Sequence, residues 1–286
     1  MISIDAVITI SLTAIYSNDL LKDKLYLKGG QYLRMVAKIK NRFSVDTDFS
    51  TPNEIENEEI FFHALQEALS LEFYKNGFYL FSFKFSRKPK KRNSDIPDHW
   101  SGWAVEYKII ESSKRNLKQE ELDRSAIIPD GAPNPKITLD ISEYEFCGNT
   151  EKVKLAGSIE ILSYSRVLVV LEKIRAICQQ HPNYPLKKGN ARSRDYYDID
   201  ILWNLALKEP GADPELFIQE LKKYLRPVFE AKDVNLTLLK DIFEESFIES
   251  QKLGWPSVLE TVSDKNIQGF DYYLENLKNI VNEIRT

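Results

Sequence analysis

The sequence predicts an α+β fold in which a mixed sheet flanked by helices is followed by a helical C-terminal region. Three observations carry this expectation. Apolar and polar residues alternate with period two in the first part of the chain, most clearly at 42–49 and 136–142. From about Ser163 the apolar spacing becomes helical and remains so to the C-terminus. Neither an internal repeat nor a low-complexity tract is present, which sets aside solenoid and fibrous architectures. The expected division is an α/β domain at 1–162 and a helical domain at 163–286.

Residues 4–21 read as a helix, and 25–27 as a short strand running into Lys28, Gly29 and Gly30. A helix is expected at 31–40. The following run at 42–49 reads as a strand, with Phe43, Val45, Thr47 and Phe49 on one face and Arg42, Ser44, Asp46 and Asp48 on the other. Residues 53–74 carry Ile60, Phe61, Ala64, Leu65, Ala68, Leu69 and Leu71 at helical spacing. Aromatic-rich strands are expected at 78–85 and 103–110, where the aromatic residues serve as core and sheet contacts. Between them, the basic, proline-containing stretch 87–98 reads as a solvated loop, with an RNA-contacting patch at 87–92 as the second reading. In 136–142, Ile137, Leu139 and Ile141 alternate with Thr138, Asp140 and Ser142, implying a second acidic strand. In the helical part, breaks are expected at 181–185, 210–213, 226–228 and 254–256.

A chain of 286 residues with 43% hydrophobic and 29% charged residues has the makeup of a globular protein with a sizeable core. Its net charge of −4 argues against a uniformly basic nucleic-acid coat but leaves room for a local basic groove. Cys147 and Cys178 have no metal-type spacing and are too few for a disulfide framework, which fits a reducing compartment. No basic leader precedes the N-terminal apolar stretch, and no run approaches the roughly 20 apolar residues that span a bilayer. The expectation is a cytoplasmic protein with no membrane partner. His63, His99 and His181 show no zinc or triad spacing and receive no role.

The chemistry-bearing stretch is Asp46-Thr47-Asp48. Two carboxylates at i and i+2 on a strand share a face, close enough to share divalent cations. Magnesium prefers hard oxygen ligands and is usually held by one or two carboxylates together with substrate phosphates. Two such ions can steady both the attacking and the leaving oxygen of a phosphoryl or nucleotidyl transfer. Asp140, on another strand, completes the cluster. Lys28-Gly29-Gly30, between an apolar strand and a helix, is a place where backbone N–H groups can approach a triphosphate.

The run from Leu27 to Gly30, followed by Arg42-Phe43-Ser44-Val45-Asp46-Thr47-Asp48-Phe49, resembles the start of the AbiEii/AbiGii toxin family of nucleotidyltransferases. There a strand, glycine pair and helix precede a strand with a metal-binding Asp-x-Asp. Residues 137–142 are similar to the strand with the third carboxylate, Glu172 to Ala176 to a lysine-containing helix, and Ala191 to Ile199 to a helix start of Arg-Asp-x-x-Asp type. These anchors keep the family's order across about residues 25–202. The resemblance implies a nucleotidyltransferase-type mixed sheet, with the helical domain closing the nucleotide cleft. It assigns metal binding to Asp46, Asp48 and Asp140, and nucleotide binding to Lys28, Gly29, Gly30, Ser44, Arg194, Asp195 and Asp198. Lys173 joins the three metal-binding aspartates as a catalytic residue and phosphate contact. One position departs: Gln31 stands where the family has Ser or Thr after the glycine pair, so the hydroxyl contact to the triphosphate is missing.

The expected function is Mg2+-dependent transfer, with Mn2+ as a substitute, of a nucleoside monophosphate from a nucleoside triphosphate to an acceptor. The family implies RNA, with tRNA as one candidate, and the toxin role of a toxin–antitoxin or phage-defence system with a cognate antitoxin. Two other readings fit the same residues. One is a catalytically silent nucleotide- or RNA-binding module of the same fold, favoured by Gln31. The other is a metal-dependent nuclease using the same carboxylates.

Overall fold

The computed structural model describes residues 2–39, 44–90, 96–155, 159–186 and 189–285. Seven strands form one mixed sheet: β1 (Tyr26–Lys28), β2 (Thr47–Ser50), β3 (Phe78–Lys88), β4 (Gly102–Glu111), β5 (Ile137–Ser142), β6 (Thr150–Lys154) and β7 (Glu160–Tyr164), in the order β3-β4-β5-β2-β1-β7-β6. β2 runs parallel to β5 and β1 to β7, while β1/β2, β3/β4 and β4/β5 are antiparallel. Helices α1 (Ile4–Tyr16) and α3 (Glu58–Lys75) cover one face. Ile8, Leu12, Phe62, Leu65 and Phe73 from these helices share a core with Phe49, Tyr107, Leu139 and Ile141 of the sheet. Side chains at both helix starts close an open backbone N–H: Ser3 accepts from Ala6 and Asn57 from Ile60.

This packing explains the strand patterns. In β5, Ile137, Leu139 and Ile141 are buried and the alternating Thr138, Asp140 and Ser142 are only half-buried, because α1 and α3 cover one face alone. β2 starts at Thr47, later than its alternation suggests: Ser44 and Val45 are irregular, Asp46 lies in a bend, and Arg42 and Phe43 fall outside the described residues. The helix expected at 31–40 is instead α2 (Gly29–Gln31), continued by a wider π-type turn at Tyr32–Val36. The first helix ends at Tyr16, not at 21, and gives way to turns. Strand β3 runs on to Lys88, so Arg87 and Lys88 belong to the sheet and not to a solvated loop. Residues 91–95 of that stretch lie outside the described residues. The short α4 (Gln119–Arg124), β6 and β7 were not expected from the sequence.

The chain divides into two compact units. One is built on Met1–Val36, Ser44–Cys147 and Glu151–Ser163, and the other mainly on Tyr164–Thr286. The second contains α5 (Arg166–Cys178), α6 (Ser193–Lys208), α7 (Pro214–Glu230), α8 (Leu238–Asp241), α9 (Glu245–Lys252), α10 (Trp255–Thr261) and α11 (Phe270–Arg285). Breaks occur as expected after Cys178 and Lys208, whereas the one expected at 254–256 falls at Leu253 and Gly254, because Trp255 and Pro256 already open α10. None occurs at 226–228, where Pro227 sits inside α7. No helix among the described residues is long and apolar enough to cross a membrane.

Candidate functional site

Strand register sets the first part of the site. Lys28 on β1 is paired with Asp48 on β2, Asp48 with Asp140 on β5, and Asp140 with Ala104 on β4. Directly paired residues project from the same face, so Lys28, Asp48, Asp140 and Ala104 form one row across four strands, on the side away from α1 and α3. Asp46 precedes this row in the bend that leads into β2. Its carboxyl is held above the usual carboxylate range, first by the protein displacing water around it and next by the negative charge of Asp140, with Lys88 and Lys136 opposing. Asp46 is nevertheless open to solvent, so its surroundings are a partly hydrated surface and not a sealed interior.

The glycine turn closes on the same row. Gly29 has φ of +64°, a conformation that side chains disfavour, and a methyl group there would lie 2.2 Å from Asp48 Oδ2. Gly30 is buried. Lys28 is buried at the end of β1, with its ammonium 3.4 Å from Glu145 Oε1. Because α2 has only three residues, an anion at this turn would rely on local N–H groups rather than a helix dipole. Gln31 is fully buried, and its amide nitrogen donates to the carbonyls of Ser44 (3.0 Å) and Asp46 (3.3 Å). The residue that departs from the family pattern thus ties the segment bearing Ser44 and Asp46 to the glycine turn. Its Oε1 is buried with no hydrogen-bond donor.

Among the described residues, no group of three or more His, Cys, Asp or Glu side chains stands close enough to hold a metal ion as it is. Asp140 Oδ1 is instead paired with Lys88 Nζ at 2.6 Å. The backbone already fits the task, since paired residues on adjacent strands sit about 5 Å apart and a side-chain rotation brings the two carboxylates together. The donor set consists of hard oxygens of like charge, and the mutual repulsion felt by Asp46 is what a divalent cation would relieve. By donor chemistry Asp46, Asp48 and Asp140 would suit Mg2+ or Mn2+, which would have to draw Asp140 away from Lys88.

The remaining expected residues belong to the helical unit. Lys173 on α5 is buried, and its ammonium lies 2.8 Å from Asp195 Oδ1 and 2.7 Å from Asp198 Oδ2, both on α6. The three-residue spacing puts both carboxylates on one helix face, where Lys173 meets them. Arg192 Nε adds a second cation 2.7 Å from Asp195 Oδ2, so these four charges balance. Arg194 donates to the Thr261 hydroxyl at 3.1 Å. At the start of α6 the Ser193 hydroxyl donates to the Gln251 carbonyl, and Arg192 N–H donates to Gln251 Oε1 at 2.7 Å.

Two contributors escaped the sequence reading. Glu143 is fully buried, and its carboxylate accepts from Ile55 N–H (3.0 Å), Trp103 Nε1 (3.0 Å) and the Ser101 hydroxyl (2.6 Å). Arg87 reaches it at 3.4 Å, pairs also with Glu58, and lies over the Trp103 ring. These partners come from separate segments, and no spacing in the sequence announces them. The only local signal is the alternation of Arg87 and Lys88, which puts one basic residue on each face of β3.

The family model for the nucleotidyl transferase AbiEii toxin of type IV toxin–antitoxin systems matches residues 11–276. No curated protein sequence matches the chain. Among solved structures, JHP933 from Helicobacter pylori is 14% identical with a TM-score of 0.47, covering 98% of this chain and 89% of its own. The nucleotidyltransferase toxin MenT4 from Mycobacterium tuberculosis H37Rv is 14% identical with a TM-score of 0.46, covering 98% and 82% respectively. The match over nearly the whole sequence, together with the mixed sheet and its carboxylate row, places this chain in the AbiEii family of nucleotidyltransferase toxins.

Proposed function

We propose that this nucleotidyltransferase moves a nucleoside monophosphate from a nucleoside triphosphate to an RNA acceptor, with tRNA as one candidate, in a reaction that depends on Mg2+ and accepts Mn2+. The observation that carries the reading is the direct pairing of Asp48 with Asp140 across β2 and β5, beside Asp46 and the Gly29 turn. The bound ion would neutralise triphosphate charge and make the acceptor hydroxyl more acidic. In the step itself the hydroxyl oxygen bonds to the α-phosphorus, the bond from that phosphorus to the β-bridging oxygen breaks, and pyrophosphate leaves with the electron pair. The hydroxyl proton passes to a carboxylate, for which Asp140 is our candidate when it is not serving as a ligand.

In this reading the turn N–H groups of Gly29 and Gly30, with Lys28 and Ser44 beside them, bind phosphates. Within the helical unit the nucleotide-binding roles assigned by the resemblance fall on Arg194, Asp195 and Asp198, with Lys173 behind the two carboxylates. Because Lys173 is buried between two carboxylates, it acts by holding them in place and setting the local charge. The chain acts as the toxin of a toxin–antitoxin or phage-defence pair in the cytoplasm, and a cognate antitoxin is its protein partner.

Purified protein incubated with Mg2+, each labelled triphosphate in turn and total RNA tests the proposal. We expect one or more nucleotides to label and lengthen RNA, and an Asp46→Ala/Asp48→Ala variant to lose that transfer. Shortened RNA would point to a nuclease. Nucleotide binding without transfer would point to a silent module.

A further inference from the structure

Lys88 closes β3 on the carboxylate-bearing face of the sheet, yet β4 stands between it and Asp140. The ion pair crosses that strand because the intervening residues are small. Lys88 is paired with Gly102, Asp140 with Ala104, and a methyl group at Gly102 would already lie 2.4 Å from the Ile141 carbonyl oxygen. With Gly102 and Ala104 the residues of β4 on this face between them, the lysine stem reaches Asp140 Oδ1 at 2.6 Å. On the other face, Arg87 is fastened by Glu143, Glu58 and the Trp103 ring, which fixes the end of β3 and with it the direction of Lys88. Lys136 also faces the carboxylates but is committed to Glu106 at 2.8 Å. The Lys88 ammonium is half-exposed and can leave Asp140 without stranding a buried charge.

We propose that Lys88 is a built-in competitor of the divalent cation for Asp140: it pairs with that carboxylate until metal and nucleotide arrive together and then transfers to a triphosphate oxygen. This rests on the metal reading of Asp46, Asp48 and Asp140. Its consequence is ordered loading, with metal alone binding weakly and metal with triphosphate binding well. Lys88 thereby becomes a nucleotide contact that no spacing in the sequence identifies.

Mn2+ binding, followed by the electron paramagnetic resonance of the free ion, tests this on the full chain without turnover. Wild type, Lys88→Met and Asp48→Asn are compared with and without a triphosphate whose α,β-bridge cannot be cleaved. In its absence, Lys88→Met should bind Mn2+ about three- to fivefold more tightly than wild type, the scale of a partly exposed ion pair. With the analogue present, that advantage should vanish or reverse, and Lys88→Arg should behave as wild type. Equal Mn2+ affinity of wild type and Lys88→Met without nucleotide would overturn the proposal, as would an equal gain in both conditions. Unchanged Mn2+ binding by Asp48→Asn would instead overturn the metal reading beneath it.

Discussion

Gly29 and Asp48 are fitted to each other: the carboxylate occupies the space that a side chain on the glycine would need, with only 2.2 Å between a methyl group there and Asp48 Oδ2. Gly29→Ala therefore combines a left-handed backbone, which costs about 1–2 kcal/mol for a residue with a side chain, with displacement of a proposed metal ligand. We expect chemical denaturation to show a loss of that size. Initial rates should fall much further than this loss of stability explains. A rate equal to that of wild type would separate the glycine turn from the chemistry.

Gln31 links the turn to the carbonyls of Ser44 and Asp46. Gln31→Met keeps the volume and removes the donors, which leaves two carbonyls short of a partner while also removing the orphaned Oε1. A net stability loss of about 1 kcal/mol is expected, and at this chain length that lowers Tm by about 2 °C. Loss of support for a metal ligand typically weakens metal use about 10-fold or more. The Mg2+ concentration needed for half-maximal transfer should therefore rise while KM for the triphosphate changes little. Mg2+ dependence like that of wild type would reduce Gln31 to a packing residue.

Lys173 neutralises Asp195 and Asp198 inside the helical unit. Lys173→Met removes the cation that Asp195 and Asp198 share, although Arg192 still faces Asp195, and should cost about 3 kcal/mol. Adding Asp198→Asn removes the buried charge that Arg192 does not face, so the double variant should be more stable than Lys173→Met alone. Urea denaturation of the four proteins of this cycle measures the coupling, and additive losses would contradict the charge-balance account.

Asp200 provides a pH test away from the sheet. Its carboxyl is held above the ordinary value of 3.8, first by burial, with hydrogen bonds from Asn276 and Asn204 opposing. A carboxyl whose folded pKa is raised binds its proton more tightly in the folded state. Its ionisation therefore destabilises the fold as pH rises from the unfolded pKa through the folded one. Asp200→Asn retains an acceptor oxygen for both asparagines. Its Tm should exceed that of wild type at neutral pH, and the difference should shrink to nothing as pH falls below about 4. A difference independent of pH would show that Asp200 contributes through packing alone.

What could be read from the sequence follows where its signals were local. The β5 alternation was legible because α1 and α3 bury a single face, so every second residue from Ile137 to Ile141 had to be apolar. The glycine turn was legible because Lys28-Gly29-Gly30 directly follows an apolar strand and opens a helical turn. Strand β2 was only half legible: Val45 continues the alternation, but pairing begins at Thr47, and pairing is a property of the partner strands. Arg87 looked like part of a solvated basic run because Glu143, its buried partner, lies 56 residues away. Strand β6, Thr-Glu-Lys-Val-Lys, sits at the sheet edge with mostly charged side chains and offers no apolar period to detect. Pro227 read as a break, yet α7 continues through it because Phe217, Leu221, Leu225, Val228 and Phe229 anchor the helix on both sides of the proline.

Nucleotidyl transfer at Asp46, Asp48 and Asp140 can be followed by the fate of individual phosphates. The most direct measurement supplies the protein and Mg2+ with RNA and the same triphosphate, labelled either at the α- or at the γ-phosphate. The account predicts α-label in lengthened RNA, γ-label only in released pyrophosphate, and neither product from Asp48→Asn or Asp140→Asn. Label from the γ-phosphate on RNA, or undiminished α-label transfer by either variant, would contradict it.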